Sequence, residues 1–230
     1  MRCFSFFFAA SAAFLILLAC GEKKTEPATQ QAHTQAEPAH SKPPEPADHR
    51  PAIVAFGDSL TAGFGAEPGH SYPDYLQRDL DQAGLPWRVI NQGVSGDTTT
   101  DGVNRLGEVL DSKPRIVIVE FGGNDGLRGL PIETTRVNLD QIVTTLRAAG
   151  IQIVLAGMTL PPNYGPDYIH AFESIYVDLA TRYQLTRIPF LLEGVATKRE
   201  LMQRDGLHPT AEGNAIVAQT VLRKLRPLLR

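Results

Sequence analysis

One serine and one histidine of the chain stand in settings that suit nucleophilic chemistry. Ser59 follows the apolar run Ile53–Phe56 in the stretch Ala55–Gly63, A-F-G-D-S-L-T-A-G, and His208 follows Asp205 by three residues. A serine hydroxyl is a weak nucleophile unless a neighbouring base accepts its proton, and histidine titrates near neutral pH. Asp205 could accept the imidazole Nδ1–H and direct the other ring nitrogen toward Ser59. These three residues are the candidate catalytic residues for acyl transfer.

Acyl transfer also needs hydrogen-bond donors for the developing oxyanion. The candidates are the Ser59 backbone N–H at a predicted helix start, the Gly96 N–H, which no Cβ shields, and the Asn124 side-chain amide. Each has an ordinary structural alternative, because a serine can cap a helix and glycine and asparagine are common in turns. The aspartate–histidine pair could likewise form a polar turn before the last helix. Four separate segments that together offer the required roles favour the catalytic interpretation.

The elements that must position these residues follow from alternating apolar and helix-period segments. Strands are predicted at Ile53–Phe56, Arg88–Ile90, Ile116–Phe121, Ile151–Ala156 and Leu185–Phe190. Helices are predicted at Ser71–Ala83, Thr98–Leu110, Thr134–Ala149, Pro166–Tyr183 and Ala211–Leu229. Continuous Val/Ile/Leu strands joined by helices predict a five-stranded parallel sheet in a three-layer α/β/α sandwich of flavodoxin-like type. Ligands of such sheets bind beyond the carboxyl ends of the strands, where all the candidate residues are expected.

The candidate residues fall into blocks that resemble a known family. The blocks are Gly57-Asp58-Ser59-Leu60, Gly96, Gly122-x-Asn124-Asp125 and Asp205-x-x-His208. This set, in this order, resembles the four signature blocks of the SGNH, or GDSL, hydrolases. The longer strings Gly122–Gly129 and Leu160–Gly165 are similar to the bacterial periplasmic branch of esterases, acyl thioesterases and lysophospholipases.

The resemblance implies a role for each candidate residue. Ser59 would be the nucleophile, His208 the base and Asp205 its orienting partner, while Gly96 and Asn124 would join the Ser59 amide as oxyanion donors. It implies an acyl-serine intermediate and no metal or organic cofactor. The expected substrates are small-molecule esters or lipids: aryl and short- to medium-chain acyl esters, lysophospholipids and acyl thioesters. A carbohydrate O-acetylesterase and a non-catalytic surface binding module are the alternatives.

The first nineteen residues have the composition of a secretory signal peptide. Arg2 is basic, Phe4–Leu18 is apolar, and Leu17-Leu18-Ala19-Cys20 resembles a bacterial lipobox. The apolar stretch is too short for a stable membrane span. We predict a lipoprotein-type signal peptide at residues 1–19 and a lipidated Cys20. The alternative is an ordinary signal peptide with an incidental cysteine.

Residues 20–50 are predicted to form a disordered tether, followed by the hydrolase domain at residues 51–230. Gly21–Arg50 contains no Val, Ile, Leu, Met, Phe, Trp or Tyr, so it cannot bury enough apolar surface to offset the entropy of ordering. We expect the protein to be exported and to be a membrane-anchored lipoprotein in the periplasm or at the outer membrane or cell surface. We expect it to be a monomer.

Composition and missing motifs exclude other classes of function. The chain has 22 Lys and Arg against 25 Asp and Glu, a net charge of −3, so no basic surface for nucleic acid is predicted. Its two cysteines, Cys3 and Cys20, precede the domain, which excludes domain disulfides and thiolate catalysis. Neither a Walker lysine nor H-E-x-x-H is present. Gly63-Phe64-Gly65 begins like a dinucleotide fingerprint, but Pro68 occupies the third glycine position.

Overall fold

The computed structural model describes residues 48–229, with five strands and eight α-helices in that range. The predicted signal peptide, Cys20 and most of the predicted tether lie outside the described residues. The strands are β1 Ala52–Gly57, β2 Arg88–Gly93, β3 Ile116–Glu120, β4 Gln152–Ala156 and β5 Thr186–Ile188. The helices are α1 Ser59–Ala62, α2 Tyr72–Gln82, α3 Thr99–Asn104, α4 Leu106–Asp111, α5 Gly123–Leu127, α6 Ile132–Ala148, α7 Pro166–Tyr183 and α8 Ala211–Leu225.

The strands form one parallel sheet in the order β2-β1-β3-β4-β5. In the middle of the sheet, Ala55 of β1 is in register with Asn91 of β2 and Ile118 of β3. Every residue of β1 and β3 is buried, because both strands lie between two neighbours and under helices on both faces. The predicted five-stranded parallel sheet is confirmed.

The helices cover the sheet in two layers. The chain moves outward from β1 to β2 through α2, then in the opposite direction to β3, β4 and β5. Right-handed crossovers therefore place α2 on one face and α3, α4, α6 and α7 on the other. The packing agrees with this, since α8 packs on α2, whereas α6 packs on α3 and α7. The predicted α/β/α sandwich is confirmed.

Two predicted helices and one predicted strand differ from the structure. The single helix predicted at Thr98–Leu110 is broken at Arg105, whose backbone leaves helical geometry while its guanidinium reaches back to Asp97. The last helix ends at Leu225 and continues as a 3₁₀ turn containing Pro227, which has no N–H to extend it. The strand predicted to reach Phe190 ends at Ile188, directly before a proline.

The strand ends fix the location of the candidate site. Because the strands are parallel, the loops after β1, β2, β3 and β4 all lie at the same edge of the sheet. The chain enters β1 at the opposite edge, where Arg50 donates hydrogen bonds to Asp48 and Asp81. None of the helices in residues 48–229 is long and apolar enough to cross a membrane.

Candidate active site

Ser59 is the first helical residue after β1. The cap of this helix is Asp58, whose side chain accepts a hydrogen bond from the Leu60 amide over 3.1 Å. The structural alternative for Ser59, that it caps the helix, is therefore wrong, because its neighbour fills that role. The Ser59 hydroxyl is half-buried and is free to contact the loop before α8.

His208 and Asp205 lie on that loop and reach Ser59. The His208 Nε2 atom is 2.8 Å from Ser59 Oγ, and its Nδ1 atom is 2.6 Å from Asp205 Oδ2. The other Asp205 oxygen accepts hydrogen bonds from the backbone amides of Leu207 and His208. Partial burial opposes ionisation of Asp205, but the His208 ring and these amides hold its pKa below the usual value. A carboxylate, an imidazole and a hydroxyl thus form one hydrogen-bonded chain.

The Ser59 and Gly96 backbone amides, the first two predicted oxyanion donors, follow the ends of β1 and β2. Within residues 48–229 neither backbone N–H has an acceptor. Gly96 has a φ of 89°, a conformation that favours glycine, and its carbonyl accepts a hydrogen bond of 2.8 Å from Arg128. Arg128 therefore fixes the loop that presents the Gly96 amide.

Asn124, the third predicted donor, already uses both hydrogens of its side-chain amide. Its Nδ2 atom donates to Asp58 Oδ2 over 3.1 Å and to the Asp97 carbonyl over 2.9 Å. A role as oxyanion donor requires that it exchange one of these bonds, or share one hydrogen between two acceptors. The amide therefore also connects the loops after β1, β2 and β3.

A buried carboxyl group that the sequence analysis did not identify accepts hydrogen bonds from the segment around Ser59. Glu120, at the end of β3, is fully buried, and its Oε2 accepts hydrogen bonds from the Asp58 amide over 3.2 Å and the Thr61 hydroxyl over 2.8 Å. Burial raises the pKa of Glu120 well above its usual value, and the charge of Asp58 raises it further. Burial also raises the pKa of Asp58 to about 6. The sequence does contain a signal for this group, because Glu120 is a charged residue within the apolar run of β3.

Two further polar contacts hold the loops at this edge. Arg105 and Asp97 form a largely buried ion pair of 2.7 Å, and the same guanidinium lies over the Phe56 ring. Asp125 is fully buried and accepts hydrogen bonds from the amide and hydroxyl of Thr99, which fastens α5 to α3. These contacts limit the movement of the loops that carry Gly96 and Asn124.

The candidate residues open into a cavity of about 670 Å³. Its walls are mostly apolar and include Leu127, Leu160, Pro161, Phe190, Leu192 and Met202. Parts of the loop segments 126–131 and 159–168 line this cavity. Tyr164 and Tyr168 instead donate hydrogen bonds to the carbonyls of Leu127 and Leu130. The wall contributed by residues 190–207 was not anticipated, because the segment has no regular pattern.

The described residues include no group of three or more His, Cys, Asp or Glu side chains arranged to hold a metal ion. The Glu173 carboxylate, which lies one turn from His170 on α7, accepts a hydrogen bond from the Thr159 hydroxyl. Glu173 therefore holds the loop after β4 against α7.

Comparison with known proteins identifies the family. Residues 55–216 match the model of the GDSL-like lipase/acylhydrolase family. The chain belongs to this family. The match spans both the Ser59 loop and the Asp205–His208 loop.

Curated members of the family have related activities in their names. The chain is 39% identical over 178 residues to the esterase TesA of Pseudomonas aeruginosa, covering 77% of this chain and 89% of the relative. It is 40% identical over 174 residues to an arylesterase of Vibrio mimicus, covering 75% and 87%. It is 37% identical over 178 residues to thioesterase 1/protease 1/lysophospholipase L1 of Escherichia coli K12, covering 77% and 84%. The protein is therefore a serine ester hydrolase of the esterase and thioesterase type.

A solved structure within the family agrees with the fold. The crystal structure of TesA superposes with a TM-score of 0.74 at 38% sequence identity, over 77% of this chain and 99% of that protein. The α/β/α fold is therefore shared with this esterase.

Proposed function

We propose that the protein hydrolyses carboxylic esters at Ser59 through an acyl-serine intermediate. The observation that carries the proposal is the unbroken hydrogen-bonded chain from Ser59 through His208 to Asp205, which opens into an apolar cavity. A hydroxyl, an imidazole and a carboxylate in this order can move one proton away from the nucleophile and then to the leaving group.

The reaction takes place in two steps. Ser59 Oγ attacks the ester carbonyl carbon while His208 Nε2 accepts the hydroxyl proton, and the carbonyl electron pair moves to the oxygen. When the tetrahedral intermediate collapses, the bond to the alcohol breaks, and the alcohol leaves with the proton from His208. Water then gives a proton to His208 as it attacks the acyl-serine, and the acid is released as Ser59 recovers its proton.

The oxyanion of each tetrahedral intermediate is stabilised by the Ser59 and Gly96 amides and by Asn124. The two amides have no acceptor in the described part of the chain, so they are ready to bind a developing negative charge without reorganisation. Asn124 joins them by exchanging one of its two present hydrogen bonds.

The chemistry of the cavity favours apolar acyl groups. Its walls bring leucine, methionine, proline and phenylalanine side chains together, which bury aryl or alkyl chains and offer a sugar few polar partners. We therefore propose aryl and short- to medium-chain esters and lysophospholipids as substrates, with acyl thioesters hydrolysed at the same site. The activities named for the relatives point the same way.

The cellular setting is proposed from the sequence. The predicted signal peptide and the lipobox-like Leu17–Cys20 support export and lipid attachment at Cys20. An exported enzyme meets membrane lipids and extracellular esters, which suits the apolar cavity. We propose a membrane-anchored monomer that acts on small-molecule esters.

Covalent labelling of the full chain tests the assignment of the nucleophile. A fluorophosphonate probe is expected to label the wild-type protein and the control variant Ser174→Ala, whose hydroxyl bonds only within α7. Ser59→Ala should fold normally, take up no label and lose turnover of 4-nitrophenyl butyrate. Wild-type turnover in Ser59→Ala would refute the proposal. Absence of labelling in folded wild-type protein would instead support a binding module.

The substrate class requires a separate measurement. A panel of esters from acetyl to palmitoyl, with acetylated xylan and lysophosphatidylcholine, separates the alternatives. The apolar walls predict that kcat/KM rises from acetyl toward medium chain lengths. A maximum at acetyl, with preference for acetylated xylan, would favour the carbohydrate O-acetylesterase.

A further inference from the structure

The segment Gly63-Phe64-Gly65 forms a tight loop beside the catalytic histidine. Gly63 ends α1 with a φ of 79°, and the Gly63 and Phe64 amides both donate to the Ser59 carbonyl. Gly65 has a φ of 72°, and a Cβ there would lie 2.2 Å from the Gln203 side-chain oxygen. Two glycines therefore permit the backbone turn and the close approach of Gln203.

Gln203 fastens this loop to the loop that carries His208. Its Nε2 atom donates to the Phe64 carbonyl over 2.7 Å and to the Pro209 carbonyl over 2.9 Å. Its backbone amide donates to the His208 carbonyl over 2.7 Å. One residue thus holds both the phenylalanine and the histidine in fixed relation, although Phe64 and Gln203 are 139 positions apart.

The Phe64 ring covers His208. The two ring centroids are 4.7 Å apart with an interplanar angle of 44°. The phenylalanine is nevertheless 50% exposed, and it lines the cavity together with Leu207. Its exposed surface is therefore available to a ligand in contact with the imidazole.

The proton transfer from His208 to the leaving oxygen determines which part of the ester lies next to the Phe64 ring. The ester oxygen that leaves must lie within reach of His208 Nε2 to receive its proton. The carbonyl oxygen must point toward the Ser59 and Gly96 amides. The alcohol part of the ester is thus on the His208 side of the cavity, where the exposed apolar surface belongs to Phe64 and Leu207.

We infer that Phe64, held over His208 by Gln203, is the wall that binds the leaving alcohol of the ester and selects aryl over alkyl alcohols. Aromatic rings gain from mutual contact beyond their buried area, whereas an alkyl group gains only from burial. The inference rests on the proposed ester hydrolysis at Ser59 and adds the chemistry of the leaving group.

Two esters that share the butyryl group and differ in the alcohol test the inference. Phenyl butyrate and hexafluoroisopropyl butyrate release alcohols of similar acidity, so the ratio of their kcat/KM values reports recognition of the alcohol. Phe64→Leu is expected to lower the phenyl-to-hexafluoroisopropyl ratio about 2- to 10-fold. Phe64→Tyr keeps an aromatic ring at this position and should therefore retain the wild-type ratio. Val137→Ala, which truncates another exposed apolar side chain on α6, should leave it unchanged.

Gln203→Ala tests whether Gln203 holds Phe64 in position over His208. It should lower the ratio about as much as Phe64→Leu does, and the double variant should show no larger loss, because both changes remove the same contact. A ratio unchanged by Phe64→Leu, in protein that still labels at Ser59, would overturn the inference alone. Wild-type protein that hydrolyses neither ester and takes up no probe would instead refute the proposed function.

Discussion

Two buried carboxyl groups beside Ser59, those of Asp58 and Glu120, position the segment that carries this serine. Asp58 caps α1 with one carboxylate oxygen and accepts a hydrogen bond from Asn124 with the other. Glu120 in turn accepts the Asp58 amide, and its Oε1 has no hydrogen-bond partner within the described chain. Burial raises the pKa of Glu120 well above its usual value, and the charge of Asp58 raises it further. At pH values between the usual and the raised pKa values, Asp58 and Glu120 therefore retain a proton that an exposed pair of carboxyl groups would lose.

The pair predicts a specific dependence of stability on pH. Burial raises the pKa values of both groups, that of Asp58 to about 6, so above pH 4 these two carboxyl groups bind more protons in the folded protein than in the unfolded chain. The contribution of these two groups to the free energy of unfolding is present at acid pH and is lost as the pH rises through their raised pKa values. Glu120→Gln cannot ionise, so the free energy of unfolding of this variant should rise relative to that of the wild type by on the order of 1–2 kcal/mol between pH 4.5 and pH 8.

Urea unfolding across that pH range measures the difference. Glu193→Gln is the control, because this side chain is exposed and the substitution should give a pH-independent difference. A constant difference for Glu120→Gln as well would show that Glu120 is ionised in the folded protein.

Asn124 gives the second prediction at this scale. If its amide joins the oxyanion donors, Asn124→Ala should lower kcat about 10²- to 10³-fold. KM should change little, because the bond strengthens only in the transition state. The exposed Asn104 supplies the control, and Asn104→Ala should have wild-type kinetics. Steady-state kinetics with phenyl butyrate decide the outcome, and an unchanged kcat in Asn124→Ala would remove this residue from the site.

At the scale of elements, short helices and loops at the carboxyl edge depend on contacts between distant segments. α1 and α5 are only four and five residues long, too short to be stable alone. They are held by Glu120 under α1 and by the Asp125 contacts between α5 and α3. The loop from Gly63 to His70 has no regular structure and is held at Phe64 by Gln203.

A pair of glycine substitutions separates backbone strain from loss of that contact. Gly65→Ala and Gly69→Ala both place a side chain at positive φ, 72° and 83°, which costs about 1–2 kcal/mol. A Cβ at Gly69 meets no atom within 4 Å, whereas one at Gly65 meets the Gln203 amide. Thermal unfolding should show similar losses of stability. Only Gly65→Ala should also lower kcat/KM for phenyl butyrate, and equal kinetics for the two variants would contradict the role of this contact.

At the scale of the whole molecule, the chain enters the domain at the edge opposite to the site. Residues 48–52 lead into the amino end of β1, and Ser59 follows its carboxyl end. The predicted tether would therefore join the domain at the amino end of β1, away from Ser59. Attachment and catalysis are expected to be independent.

Cys20→Ser tests this expectation. Wild-type full chain expressed in bacteria should incorporate labelled palmitate and partition into the detergent phase of Triton X-114. The variant should incorporate none and stay in the aqueous phase. Its kcat/KM for a soluble ester, measured against active-site concentration from probe labelling, should equal that of the wild type. Palmitate incorporation in Cys20→Ser would refute lipidation at this cysteine.

The sequence by itself determined the sheet and the edge at which the site lies. Buried parallel strands need continuous Val and Ile runs, and their loops must meet at one edge, so both could be predicted from local pattern. Ser59, Asp205 and His208 could be proposed because each stands in a short motif of suitable residue types. The structure places His208 within hydrogen-bonding distance of both Ser59 and Asp205.

The tertiary structure decided what local pattern cannot encode. The contact between Glu120 and the Asp58 amide joins residues 62 positions apart, and that between Gln203 and Phe64 joins residues 139 positions apart. The break at Arg105 depends on an ion pair with Asp97, and the two bonds of Asn124 depend on where the neighbouring loops lie. Helix and strand patterns describe how a residue relates to neighbours a few positions away. Pairings between distant loops are fixed only when the sheet brings their ends together.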